Sequence, residues 1–378
     1  MQRLQTALSW KGNWTGTHDP EAIRVRRAYL RERDPRDVVA LSSRVRKARD
    51  GRLQLAGELA WPIRDELEMV NDALVTSHPL DLVDLADVPG DDMLVVQQRF
   101  EALCLVDLAV MMHELERIDP FCRVEDDLRF MIHLLERRIF LGGTRDLLVY
   151  TYHDPSDMYR VNNVSYGSPR ASVLDERKHV SRCRMIKDGL IVRFDTRPKD
   201  TFRSVLKLIR QIAAPPKAGR DPYVVKDRCA FRFVVQDVGQ ARALADELSW
   251  HLTAVGADVQ DGGDNLTVET GTAADATNLR SSSRYRKKQL DVYWRGRWYE
   301  FQIVLFAGYY SAKYSLDEEN HVIYKLRQGV NDVLPMLFPP RIYLRETTWT
   351  SKELLDLLYE RQLENLGWNL RSIQGSSR

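Results

Sequence analysis

Apolar residues recur along the first third of the chain at the three-and-four spacing of amphipathic helices. The longest such stretch, 92–117, carries Leu94, Val95, Leu103, Val106, Val110 and Met111 and stops at Pro120. Further helices are expected over 65–75 and over 125–141, the latter closed by Gly142 and Gly143. Residues 1–20 are polar and read as loosely held. The segment 23–52 reads as an exposed helix with eleven Lys or Arg against four acids. Asp81, Asp84, Asp87, Asp91 and Asp92, around Pro89 and Gly90, read as an acidic surface loop without the spacing of a calcium loop.

The pattern then changes. A strand is expected at 147–152, a loop at 155–170 and a polar helical or irregular stretch at 173–184. Leu190, Ile191, Val192 and Phe194 form a short strand-like run ending at Thr196 and Pro198, and Asp200 opens a helix to about 212. After a Pro- and Gly-rich break follow a strand at 228–235 and a helix capped by Asp237. Strands at 265–269, 289–294 and 298–306 come next, the last two joined by a turn at Arg295, Gly296 and Arg297. A helix over 311–330 and a capping box, Thr350 with Glu353, before a terminal helix complete the chain. This order describes an α+β protein: an all-helical N-terminal domain (1–145), a mixed β-sheet flanked by helices (146–340), and a C-terminal strand and helix extension (341–378).

Composition adds bounds. At 378 residues the chain exceeds a single core. With a formal net charge of +2, no global field argues for a polyanion, and basic character is local. No apolar run approaches the roughly 20 residues that span a bilayer, and no leader pattern opens the chain. No membrane and a cytoplasmic location are expected. Cys104, Cys122, Cys183 and Cys229 have no paired spacing, which argues against a zinc site or disulfide framework.

The candidate chemistry gathers around three places. Lys199, Arg203 and Lys207 recur at intervals of four beside Arg197, at a strand-to-helix junction. Cations next to a helix N-terminus suit a polyphosphate, although a solvated helix face has the same pattern. Asp227 precedes the strand 228–235, and Glu300 lies inside the strand 298–306 between Tyr299 and Phe301. On neighbouring strands the two carboxylates can share a Mg²⁺, the companion of a nucleoside triphosphate. Between Arg284 and Arg297 six Lys or Arg stand against one Asp, with Tyr285, Tyr293 and Trp294 interleaved. That mixture suits an RNA end, or is simply a basic surface hairpin.

Over roughly 180–328 the sequence resembles the synthetase domain of RelA/SpoT-type pyrophosphokinases. Arg197, Lys199 and Lys207 match an Arg-x-Lys-x3-Ser-x3-Lys motif, with Arg203 at its Ser position. Asp227 and Arg232 match Asp-x-x-Gly-x-Arg with Ala230 for Gly, and Glu300 and Gln302 match Glu-x-Gln. The family's Tyr-x-Ser-x-His appears as Tyr285, Lys287 and Gln289, and its later Ala-Glu pair as Ala312 and Lys313.

The resemblance implies a nucleotidyltransferase-like fold and an ATP- and Mg²⁺-dependent diphosphotransferase. Arg197 and Arg232 would sandwich adenine, with Lys199, Arg203 and Lys207 on the phosphates. Asp227 and Glu300 would hold the metal, Glu300 alternatively serving as base. Tyr285, Arg286, Lys287, Lys288, Gln289 and Gln302 would face the acceptor. That acceptor is the 3′-hydroxyl of a guanosine nucleotide, as in (p)ppGpp-type alarmone synthesis for a stringent response, or an RNA 3′ end. Two alternatives stay open: toxin-like modification of tRNA 3′ ends as the sole activity, and a nucleotide- or RNA-binding regulatory module without catalysis. The N-terminal helices carry no motif and are expected to serve a regulatory partner or a homo-oligomer.

Overall fold

The computed structural model describes residues 1–59, 76–154, 156, 160–167, 178–187, 190–214, 221–267, 285–315 and 320–343. These fall into two compact units, each assembled from separate stretches of chain.

Among the described residues, the first unit gathers Met1–Phe121, Asp200–Val225 and 329–343. It comprises α1 (Gln2–Ser9) with a following 3-10 turn, α2 (Pro20–Arg31), α3 (Pro35–Leu59), α4 (Pro79–Ala86) and α5 (Met93–Ile118). Every residue of α5 from 99 to 115 is buried, as befits a helix surrounded by others. The charges it buries are paired. Arg26 donates to both Asp107 oxygens, at 2.7 and 2.6 Å, and Trp14 Nε1 donates to the same carboxylate at 2.7 Å. Burial pushes the Asp107 carboxyl up, against the pull of Arg26. Arg52 grips Glu101, and Arg99 donates to the carbonyls of Gly16 and Val88, each at 2.7 Å.

Two sequence expectations are corrected here. Residues 1–20 are not loose: Leu4, Ala7, Leu8, Trp10 and Trp14 are buried, and the first three already have helical spacing. The acidic stretch is not a loop throughout, because Pro79 opens α4 at a position where a missing N–H costs nothing. Its acids meet cations, with Arg27 reaching both Asp84 and Asp87. This unit also receives α7 (Thr201–Ala213), whose N-cap Asp200 accepts from the Arg203 amide at 2.7 Å.

The second unit comprises, among the described residues, Cys122–Lys199 and Lys226–Gln328. The division therefore differs from a border at 145/146: α6 (Phe121–Arg138) falls largely with the sheets and α7 with the helices. A small antiparallel sheet has β1 (Arg145–Asp154) between β2 (Arg160–Gly167) and β3 (Lys178–Met185). The loop expected at 155–170 and the helical or irregular stretch at 173–184 thus contain strands. Among the described residues both pair with β1 alone, and an edge strand needs less apolar sequence than a central one.

The larger sheet contains β4 (Arg193–Pro198), β5 (Cys229–Val235), β6 (Asp258–Asp264), β7 (Lys287–Trp294) and β8 (Arg297–Leu305) in the order β4-β5-β8-β7-β6. Only β5 and β8 run parallel. The strand expected at 190–194 starts later, at Arg193; of the strand expected at 265–269, residues 265–267 follow β6 as a turn and the last two lie outside the described residues. The β7–β8 turn has positive φ at Arg295 and Gly296, as a type I′ hairpin requires. Helix α8 (Val238–Ala254) is capped by Asp237 as expected. The helix expected at 311–330 is instead two, α9 (Phe306–Tyr314) and α10 (His321–Gln328). The expected helix at 65–75 and the capping box at Thr350 lie, wholly or nearly so, outside the described residues. No helix among the described residues is long and apolar enough to cross a membrane.

Alternation gives the larger sheet two unlike faces. One carries Phe231, Phe233, Leu290, Val292, Tyr299, Phe301 and Ile303, all buried, with Phe130 of α6 stacked on Trp294 at 5.1 Å. The other face is mixed: Val234 and Val304 are buried in an apolar cluster with Phe306, Tyr309 and Tyr310, and charged and amide side chains on the neighbouring positions form the candidate site.

Candidate functional site

Because paired residues of a sheet project to the same side, register alone assembles the polar face. One rung reads Arg197, Ala230, Glu300, Asp291 across β4, β5, β8 and β7. The next reads Asp195, Arg232, Gln302, Gln289. A third reads Arg193, Val234, Val304, Lys287. Ala230, in the middle of the first rung, has almost no side chain. Arg197 and Glu300 therefore face each other over a low floor, their backbones two strand spacings or about 10 Å apart.

Asp227 joins this centre from the loop that leads into β5. Its carboxylate takes the ammonium of Lys199, whose own amide donates to the Arg228 carbonyl at 2.8 Å. Burial lowers the Arg197 pKa first and the nearby Arg232 adds to this, while Tyr285, Glu300 and Asp227 oppose it. Both predicted acids thus act on one guanidinium. The Tyr285 hydroxyl is pushed up by burial and held back by Arg232 and Arg197. It is buried without a hydrogen-bond partner among the described residues, as is Arg232 Nε.

Glu300 and Asp291 are directly opposite across adjacent strands, an arrangement of like charges that needs compensation. Gln302 donates to Glu300. Asp291 receives Lys226 Nζ at 3.0 Å and Gln289 Nε2 at 2.8 Å. At the other side of the face, the Tyr309 hydroxyl donates to Asp195 at 3.2 Å, and Arg193 and Arg232 lie 5.5 and 6.0 Å from its ring centroid. Burial first, then Asp195, pushes the Tyr309 hydroxyl up. His321, at the start of α10, is pushed down to about 3 by burial, with Lys325, Arg197 and Arg232 adding to the effect. It is therefore a neutral imidazole among cations.

The structure brings together Arg197, Lys199, Asp227, Arg232, Tyr285, Lys287, Gln289, Glu300 and Gln302. It does not bring Lys288 there: that side chain alternates onto the opposite side of β7 and pairs with Asp261 at 2.8 Å. Arg286 precedes β7 and lies off the rungs. Arg203 and Lys207 belong to α7 of the first unit, where Arg203 is 3.7 Å from Asp200. Sequence reading missed Asp195, Lys226, Asp291, Trp298, Tyr309 and His321. The first four were accessible from alternation along β4, β7 and β8 and from the neighbour of Asp227, but Tyr309 and His321 sit on helices whose placement no local pattern reveals.

No cluster of three or more His, Cys, Asp or Glu side chains suited to a metal occurs among the described residues. Asp227 and Glu300 offer two carboxylates among cations. That donor set fits a Mg²⁺ that keeps waters and arrives with phosphate oxygens, and does not make an all-protein cage. No family model, no curated protein and no solved structure matches this chain.

Proposed function

We propose that this protein is an ATP-dependent pyrophosphokinase whose larger sheet is a nucleotidyltransferase-like synthetase domain. The observation that carries the reading is the first rung, where Arg197 and Glu300 flank Ala230 with Arg232, Lys199 and Asp227 beside them. Arg197 and Arg232 hold the adenine between planar cations. Lys199 exchanges Asp227 for the phosphates when the nucleotide arrives. Asp227 and Glu300 are the residues that would hold Mg²⁺, which when bound would neutralise charge on the transferred group.

The acceptor is a ribose 3′-hydroxyl, of a guanosine nucleotide or of an RNA end, placed beside Tyr285 and Gln302. Its oxygen attacks the β-phosphorus of ATP, the bond from that phosphorus to the α-phosphate oxygen breaks, and AMP leaves. Where Asp227 alone would hold the metal, Glu300 is the base that takes the hydroxyl proton, and Gln302, donating to Glu300, keeps the carboxylate oriented. Such transfer relies on positioning and charge compensation more than on covalent help from the protein.

The test supplies ATP labelled at its γ-phosphate together with GTP, GDP or bulk tRNA and follows the label by thin-layer chromatography. Label should appear on an acceptor, and Glu300→Gln should reduce the rate by about 10²-fold or more with ATP binding retained. ATP binding without transfer to any acceptor would overturn the assignment.

A further inference from the structure

We propose that the polar face continues into a stacking subsite formed by Tyr293, Trp298 and Lys226, and that its occupant is a base of single-stranded RNA next to the acceptor ribose. The inference rests on the pyrophosphokinase reading and narrows its acceptor to a polynucleotide end.

Tyr293 and Trp298 are paired across β7 and β8, and alternation puts them on the same side as Asp291 and Glu300. Trp298 is two residues from Glu300, so their backbones are about 7 Å apart. That distance matches the step between successive nucleotides of an extended strand. The two rings are 5.1 Å apart at an interplanar angle of 49°. Tyr293 is 41% exposed, although the alternate positions 290, 292 and 294 are buried under helices. Lys226 Nζ lies over the Trp298 ring, 4.1 Å from its centroid and 3.0 Å from Asp291, which fixes a cation on one face of that ring and leaves the exposed Tyr293 ring as the open surface.

A free mononucleotide has one base, and Tyr285 is already placed for it at the opposite end of β7. A second aromatic platform beyond the carboxylates suits a second base, next along the strand from the acceptor ribose. Base stacking on exposed aromatics with a cation nearby is how single strands are held without sequence reading. Among the described residues, the cation that reaches the platform is Lys226, drawn in from the loop before β5.

The probe is a fluorescein-labelled, unstructured hexaribonucleotide with a free 3′-hydroxyl, titrated in anisotropy against the whole chain and compared with competition by GDP. The hexamer should bind more tightly than GDP. Tyr293→Ala and Trp298→Ala should each weaken it roughly 5- to 100-fold, and Tyr293→Phe should restore most of the loss. GDP competition should not change in Tyr293→Ala. Equal affinity for hexamer and GDP, or a Tyr293→Ala variant that keeps the hexamer affinity, would overturn the subsite; a platform for a protein partner would give that result. Oligonucleotide binding requires neither ATP nor transfer, so failure of the kinase reading shows separately as absent label transfer.

Discussion

Gly51 and Gly57 lie in the same helix, α3, and should respond oppositely to the same substitution. An alanine in a helix interior is favoured over glycine by about 0.8–1.0 kcal/mol. At Gly57 an added Cβ meets nothing within 4 Å, so Gly57→Ala should stabilise by up to that amount. At Gly51 the Cβ would come within 2.6, 2.7 and 2.8 Å of three ring carbons of Phe202. A rigid ring cannot withdraw as a flexible side chain would, and overpacking of this kind costs about 1–3 kcal/mol. Subtracting the propensity gain leaves Gly51→Ala between neutral and about 2 kcal/mol destabilised, and the two variants about 1–3 kcal/mol apart. Chemical denaturation followed by circular dichroism at 222 nm, a helix-weighted signal, reads the difference. Equal stabilisation by both variants would refute the packing of Phe202 against α3. Phe202 stands two residues beyond the N-cap of α7, so the Gly51 variant also reports on how firmly that helix is seated.

The Arg26–Asp107 pair is buried on both sides; Asp107→Asn should cost about 3–5 kcal/mol by stranding the guanidinium, and Arg26→Met with Asp107→Leu should recover most of it. A double variant no more stable than the single one, in the same denaturation assay, would deny that reading. Burial holds the His321 imidazole at about 3 in the folded protein, against about 6.5 for a free imidazole, so the unfolded chain binds its proton first. Stability tied to the neutral ring is present above about pH 6.5 and falls toward pH 3, by up to roughly 1.4 kcal/mol per unit. His321→Gln should flatten that part of the pH–stability curve, and an unchanged slope would show the ring to be exposed.

Much of the larger sheet was legible because its central strands are apolar in alternation and its caps are local. Asp237 capping α8 and the Arg295–Gly296 turn each depend on a few adjacent residues. The placement of Asp227 ahead of one strand and Glu300 inside another was likewise readable, since a carboxylate between Tyr299 and Phe301 calls for a polar side of the strand. What the sequence hid depends on neighbours. β2 and β3 lack a hydrophobic signal because each has one partner. The compensation of Asp291 by Lys226 arises only when β7 and the loop before β5 meet. The buried charges of α5 looked like interruptions in an apolar helix until Arg26 and Arg52 were seen to match them. Nor did charge spacing reveal that α7, with Arg203 and Lys207, belongs to the helical unit.

The chain leaves the sheet-bearing unit after Lys199, builds α7 among the N-terminal helices, and returns at Lys226. The ion pair between Lys199 and Asp227, with the Lys199 amide on the Arg228 carbonyl, fastens the departing and returning strands to each other at the base of this detour. A peptide bond cut within this detour would leave its two flanks, at Lys199 and at Asp227–Arg228, still joined to each other next to β4 and β5.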